Sequence, residues 1–506
     1  MTPCEVKMTT LEQLTPGMQL VYDGNKVYTV TDDVAHQFSA GDQLVFVRGF
    51  DAPIIIPKAS IDLVDADIKA ATNGFYALSQ VSDDAINDFY DAFSRNLNDD
   101  AIWANIQAVN DEDVAAARAK GRSTTRLIAD DKCRNNMVAG LLDFKRQQVQ
   151  RVSAIQDVTH DGWSVDLLKS PLGVVGFVFE GRPNVIADAT GVLKSGNSVV
   201  FRVGRDALAT ARAIVDDALY PALDAVGISR DVIRLIESPE RSTAWALFSN
   251  PGLNLAVARG SGEAVRMLGG IAQQYGIPVS LHGTGGAWMM TNASTDLDRL
   301  HDAIVGSLDR KVCNTLNTLC LLKSEVEAQL PVVLNALRCA GEALGQPYKV
   351  HVESTSTSYF SEEDFKAMVP VERAAGVKNE AQFERIDKAQ LGTEWEWEKT
   401  PEVTLVVVDD LDDAIRLFND YSPQFVASLI TQSQLELVRF FNQVNAPFVG
   451  NGMTRWVDGQ YALNSPELGL SNWENGRFLA RSAILSGDSV FTTRIKMNQV
   501  VSDLKR

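Results

Sequence analysis

The chain has 506 residues, more than a single hydrophobic core usually serves, so two or three domains are expected. Hydrophobic residues make up 45% and charged residues 22%, an ordinary water-soluble composition, and no apolar run reaches the roughly 18 residues that a membrane span requires. The 65 acidic and 47 basic residues leave a net charge of -18, which excludes a broad nucleic-acid-binding surface and leaves any anionic ligand to local arginines or helix N-termini.

The opening stretch MTPCEVKMTTLEQLTPG lacks the basic start and apolar run of a signal peptide, so a cytoplasmic location is expected. Residues 1–70 read as a small β-rich module. Two alternating apolar runs flank Asp23-Gly24-Asn25, which is a hairpin signal, and DQLVFVRG and PIIIPK add two short strands. A packing or oligomer-edge appendage is the reading for this module. From 76 to 150 the pattern turns helical: AIWANIQAVNDEDVAAARAKG and DDKCRNNMVAGLLDFKRQQVQRV are amphipathic at helical spacing and suit the cover of a larger domain.

Between about 165 and 290, strands alternate with helices. The strand runs are GVVGFVFE (173–180), SVVFRVG (198–204), 233–238, LNLAVARG (253–260) and PVSLHG (278–283). Near-continuous apolar strands joined by helices predict a parallel sheet covered on both faces. Ligands of such sheets sit beyond the carboxyl ends of the strands, which directs attention to Glu180–Asn184, Arg202–Asp206 and Arg259–Gly262. A second α/β unit follows from about 287 to 460, with WMMTN, a helix at 296–308, the segment VCNTLNTLCLL, a helix at 324–344, VTLVVVDD, ASLIT and APFVGNG.

Cysteines stand at 4, 133, 313, 320 and 339, an odd number without CxxC spacing, so neither a disulfide framework nor a zinc site is expected. The five histidines (36, 160, 282, 301 and 351) are scattered without an HExxH pair, and no metal site is expected.

Four segments carry a resemblance. They are TTRLIADDKCRNNMVAGL (124–141), PLGVVGFVFEGRPNVIADATGVLKSGNSVVFRVGRDA (171–207), VCNTLNTLCLL (312–322) and GNGMTRWVDG (450–459). In this order, and spanning about 80 to 475, they resemble the γ-glutamyl phosphate reductase (glutamate-5-semialdehyde dehydrogenase) family of the aldehyde-dehydrogenase superfamily. The resemblance implies an α/β, aldehyde-dehydrogenase-like fold: the N-terminal β-module (1–70), a Rossmann-type NADP-binding domain (76–288, completed by 465–506) and an α/β catalytic domain (289–464). It also implies a homo-oligomer, dimer or tetramer, formed through extended strand pairing, and a small-molecule substrate; from the charge and the lack of a long apolar run, no nucleic-acid or membrane partner is expected.

The implied reaction is the NADPH-dependent reduction of L-glutamyl 5-phosphate to L-glutamate 5-semialdehyde, a step towards proline. A thiolate displaces phosphate to give a thioester, which is reduced to a thiohemiacetal that releases the aldehyde. Cysteine suits this route as nucleophile and leaving group, provided its pKa is lowered by nearby donors or cations. By resemblance the nucleophile is Cys313, preceded by Arg310 and Lys311; the other four cysteines read as structural or incidental.

Asn184 has two open readings, an amide donor to the oxyanion or a helix N-cap. Arg202, with Gly204, stands where the superfamily holds the adenosine ribose, and an arginine there favours NADPH through the 2′-phosphate. Gly260, Ser261 and Gly262 open a helix whose N–H groups suit a pyrophosphate. Glu394 is the counterpart of a ribose-binding glutamate, with Glu396 and Glu398 as alternatives. Arg182, Asn451, Thr454 and Arg455 are assigned to the phosphate and carboxylate of the substrate. LHGTGG (281–286) lacks the glutamate base of hydrolytic aldehyde dehydrogenases, which fits a thioester that is reduced; His282 is either a proton shuttle or structural.

The sequence departs from the family at EGRPNV, FRVG and ARGSG, and the stretch SNWENGRFLARSAILSGDSVF (471–491) replaces the usual tail. Two further readings therefore stay open. One is a paralogue acting on a different acyl phosphate, acyl thioester or aldehyde. The other is a non-catalytic binding or scaffold protein.

Overall fold

A computed structural model describes residues 10–504 except 123, 125, 149, 150, 374, 375, 458–461, 475, 479 and 481. The chain forms two compact units, residues 1–281 with 486–506, and residues 282–485. Both contain the parallel α/β layers that the sequence pattern predicts. Among the described residues no helix is long and apolar enough to cross a membrane.

The first unit is built on a five-stranded sheet in the order Val279–His282, Leu255–Arg259, Val174–Val178, Ser198–Arg202, Ile233–Leu235. Its central pairs are parallel, with Leu255 opposite Val175 and Val174 opposite Ser198. Val174–Val178 and Ser198–Arg202 are buried at every residue, because helices cover both faces. One cover contributes Val64, Ile68 and Ala71 from Lys58–Leu78 together with Val265, Leu268 and Ile271 from Gly262–Gln274. Another helix pair, Asp83–Asn98 and Asp131–Arg146, packs through Phe89, Tyr90, Phe93 and Phe144.

The N-terminal residues form two hairpins. In the first, Gln19–Tyr22 pairs antiparallel with Lys26–Thr29, and the connecting loop places Asp23 at φ 45° and Gly24 at φ 85°. That left-handed turn is what the Asp-Gly signal requires. Leu14, Val30 and Phe38 give this part a small core of its own. The second hairpin, Gln43–Val45 with Ile54–Ile56, instead places Val45, Ile54 and Ile56 in the same core as the large sheet. Position 70 lies inside the helix Lys58–Leu78, which belongs to that core as well.

A separate three-stranded antiparallel sheet joins Ala154–His160 and Trp163–Pro171 to the returning strand Phe491–Gln499. Ala154–His160 is exposed at every residue.

The second unit holds a seven-stranded sheet in the order Phe383–Ile386, Lys349–Glu353, Glu402–Val408, Leu316–Leu322, Ala287–Thr291, Val426–Ile430, Phe448–Gly450. Its pairings are parallel. The strand period of two divides successive residues between two cores. Leu319 and Leu321 meet Leu300, Ile304 and Val333 on one face, whereas Cys320 meets Ile415, Phe418 and Phe440 on the other.

Candidate active site

In the first unit, the carboxyl ends of three neighbouring strands open onto a cleft of about 710 Å³. Val178, Phe179, Val265 and Leu268 supply an apolar wall, and Arg122, Arg202, Arg205, Arg241 and Arg259 a cationic one. Glu180, Asp206 and Glu240 offset part of that charge. The arginines give an acidic chain a local site for anions.

Arg202, the last residue of its strand, is only 8% exposed. One Nη donates to the Pro239 carbonyl at 3.3 Å, and the buried Nε has no hydrogen-bond partner. Burial, and then the like charges of Arg241 and Arg205, hold its pKa below the usual arginine value. Gly204 lies beside it because the loops touch there: a Cβ would stand 2.9 Å from the Gly181 nitrogen. On the opposite side of the cleft, a Cβ at Gly260 would meet nothing within 4 Å. Ser261 is the N-cap of Gly262–Gln274 but makes no side-chain capping bond.

Asn184 occupies the N-cap position of Val185–Ala189, yet its backbone is already helical (φ -64°, ψ -21°) and its side chain makes no capping bond. Arg182 pairs with Glu180, which also meets Arg126 at 3.3 Å. Behind this loop, burial pushes the Asp188 carboxyl up to about 6 against the pull of Arg259 and Arg182.

In the second unit, Cys313 lies on the turn between Leu297–Gly306 and Leu316–Leu322. It is half-buried beside the apolar cluster of Ala287, Phe425, Phe448 and Val457. Thr315 closes the turn: its hydroxyl accepts from the Val312 N–H at 2.9 Å and donates to the Arg310 carbonyl at 2.7 Å. The Cys313 carbonyl accepts from the Gly286 N–H at 2.7 Å. A Cβ on Gly285 would lie 2.5 Å from the Cys313 oxygen and 2.6 Å from its Cα, so the paired glycines of LHGTGG allow two backbones to touch. The His282 ring stacks on Phe425 with centroids 5.8 Å apart.

Glu394 joins these segments. One of its oxygens accepts from the Gly285 N–H at 2.6 Å and the other pairs with Lys311, whose side chain is 7% exposed. Glu396 is exposed and lies 3.8 Å from Lys311, and Glu398 is exposed. From the other side, the Thr454 hydroxyl donates to the Asn314 carbonyl at 2.7 Å. Arg455 bonds the Asn314 side chain and reaches Asp309 at 2.7 Å. The structure thus gathers Glu394, Thr454 and Arg455 around the Cys313 turn. Asn451 lines a separate groove of about 340 Å³ with Leu437, Val438 and Phe441.

The remaining described cysteines sit elsewhere. Burial pushes the Cys133 thiol up to about 12 and raises that of Cys320 still further, and Cys339 lies in the helix Val326–Ala343. Cys4 lies outside the described residues, as do Asp458 and Gly459 of the GNGMTRWVDG segment. Among the described residues no cluster of metal-ligating side chains occurs. Sequence reading missed Arg122 and Arg241, because residues so far apart in the chain carry no local motif, whereas Arg205 falls in the strand-end stretch Arg202–Asp206 already singled out. It also gave Lys311 only a part in lowering the thiol pKa, whereas its ammonium meets Glu394.

No protein-family model matches the chain. The γ-glutamyl phosphate reductase of Geotalea daltonii is 28% identical over 424 residues, which is 81% of this chain and 91% of that protein. The crystal structure of the γ-glutamyl phosphate reductase of Thermotoga maritima has the same fold, with a TM-score of 0.75 at 21% identity, over 88% of this chain and 100% of the other. An engineered glycolyl-CoA reductase with bound NADP+ gives a TM-score of 0.57 at 14% identity, over 86% and 96%.

Proposed function

We propose that the chain is a member of the γ-glutamyl phosphate reductase family of aldehyde-dehydrogenase-like proteins, and that it reduces L-glutamyl 5-phosphate to L-glutamate 5-semialdehyde for proline biosynthesis, with NADPH as reductant and Cys313 as nucleophile. The observation that carries this reading is the Cys313 turn: a half-buried cysteine whose own carbonyl is held by the Gly286 N–H and whose neighbours in the turn are held by Thr315 and Thr454. A nucleophile held in one geometry gains the orientational advantage on which covalent catalysis depends.

The Cys313 thiolate attacks the acyl carbon; a C–S bond forms, the C–O bond to phosphorus breaks, and phosphate leaves. When bound, NADPH supplies the hydride that lowers the thioester to the aldehyde level. The Cys313 sulfur then departs with the C–S electron pair, freeing the aldehyde. Asn184 is the proposed amide donor to the oxyanion, its side chain making no capping bond, and Arg182 the proposed partner of a substrate anion. Asn451 keeps its assignment to the substrate. For Thr454 and Arg455 the bonds to Asn314 favour holding the turn over touching substrate.

The first-unit cleft suits a phosphorylated dinucleotide. Its volume of about 710 Å³ lies in the range of cofactor sites, and the orphaned Nε of Arg202, beside Arg205 and Arg241, offers donors and positive charge to a 2′-phosphate. Gly260, Ser261 and Gly262 offer helix N-terminal N–H groups to the pyrophosphate. LHGTGG carries no carboxylate for activating a hydrolytic water, which supports reduction over hydrolysis. A cytoplasmic homo-oligomer, dimer or tetramer, completes the proposal.

The test runs the reaction in reverse, with glutamate semialdehyde, phosphate and NADP+. Wild-type protein is expected to form NADPH beyond a single equivalent per subunit only when phosphate is present, and Cys313→Ala to lose at least about a thousandfold of that rate. Activity surviving the substitution contradicts the reading.

A further inference from the structure

Lys311 precedes Cys313 by two residues, so its ammonium looks like an activator of the thiol. The structure gives it another partner. Its side chain is 7% exposed and its Nζ bonds one oxygen of Glu394, while the other oxygen of Glu394 holds the Gly285 N–H at 2.6 Å. Gly285 lies so near Cys313 that a Cβ on it would stand 2.5 Å from the Cys313 oxygen, and the next N–H, that of Gly286, bonds the Cys313 carbonyl. A closed circuit results: Cys313 to Gly286 and Gly285, to Glu394, to Lys311, and back along the chain to Cys313.

The Glu394 corner is itself fixed. The N–H of the next residue, Trp395, donates to the Asn317 side chain at 2.9 Å, and its indole lies flat on His351 with centroids 3.5 Å apart. Glu394 therefore has a rigid base from which to hold the glycine loop. We infer that Lys311 and Glu394 are a pair of positioning residues, which set the seat of the Cys313 backbone through Gly285 and so the aim of its sulfur. This rests on Cys313 being the nucleophile, and it gives Glu394 a task independent of any cofactor.

The charges make the inference testable. Lys311→Met removes a cation and Glu394→Gln an anion. If either group acted on the thiolate directly through its field, the two substitutions would move the apparent thiol pKa in opposite directions. If the pair acts by position, both slow alkylation in the same direction, and the double variant is no slower than the worse single one. The experiment measures iodoacetamide labelling of Cys313 against pH, without substrate or cofactor, by peptide mass spectrometry, with half-buried Cys339 as internal reference. Each single substitution is expected to lower the high-pH plateau about tenfold, the order that a small misplacement of a reacting group costs. Lys311→Arg, which keeps the cation, is expected to recover most of the rate, and isosteric Glu394→Gln carries the test should Lys311→Met fail to fold.

Opposite pKa shifts, additive losses in the double variant, or unchanged labelling accompanied by a raised KM for NADPH in Glu394→Gln would each overturn the inference. A wild-type Cys313 that labels no faster than Cys339 instead overturns the assignment of the nucleophile, so the two failures are distinguishable.

Discussion

A single methyl group separates a working turn from a blocked one at Gly285. Its Cβ would overlap the Cys313 carbonyl and Cα, neither of which is the movable end of a side chain. Gly285→Ala is therefore expected to displace the Cys313 turn, to slow iodoacetamide labelling of Cys313 at least tenfold, and to cost about 1–3 kcal/mol of stability, the usual penalty of overpacking. A denaturant titration and the labelling rate check both. In the first unit, Arg202→Met removes the buried guanidinium with the orphaned Nε. A lost charged hydrogen bond of about 1.5–3 kcal/mol corresponds to a tenfold to hundredfold rise in the KM for NADPH, with little change for NADH. Cys313 and Glu394 were legible because the strings around them resemble family strings. Lys311 as a partner of Glu394 was not, since 83 residues separate the two and only the folded sheet joins them.

Whole elements were more legible than single contacts. The five apolar runs of the first unit became five strands, because strands buried on both faces are apolar at every position. The runs extend past the observed strand ends, since Phe179, Val203 and Ile236 remain buried in the loops that follow. Apolar pattern reports burial there, not hydrogen bonding. What the pattern hid was a charged layer in the second unit. Glu402, in its strand, accepts from His351 at 2.6 Å and from Arg373 at 2.6 Å, and Arg373 also holds Glu380. The Arg373 guanidinium, with help from Lys349, holds the Glu380 carboxyl at about 2. Burial raises Glu402, but the bonds from His351 and Arg373 outweigh it and leave its pKa lowered. A depressed carboxylate adds stability that is complete above its unfolded pKa of about 4.3 and is lost as the pH falls towards the folded value. Arg373→Met is thus expected to move the acid-unfolding midpoint upward, on the order of half a pH unit, as followed by tryptophan fluorescence. No movement would show that this layer contributes nothing to acid resistance.

At the scale of the molecule, the exposed antiparallel sheet is the feature that a lone subunit explains least. Phe491–Gln499 leaves Ile495 73% exposed and Met497 48% exposed, and Ala154–His160 forms an outer strand with Ile155 and Val158 exposed. Apolar side chains on an open strand edge invite pairing with another chain. If the proposed dimer or tetramer forms there, Ile495→Glu is expected to shift the protein towards monomer in sedimentation velocity, with the fold retained; an unchanged oligomer would place the interface elsewhere.

The central claim, that the reaction passes through a covalent bond to Cys313, is tested most directly by mass spectrometry of the protein treated with glutamate semialdehyde and NADP+ in the absence of phosphate. The account predicts an acyl adduct confined to the peptide carrying Cys313 and discharged when phosphate is added. Turnover with no adduct on that peptide, or an adduct on another cysteine, would contradict it.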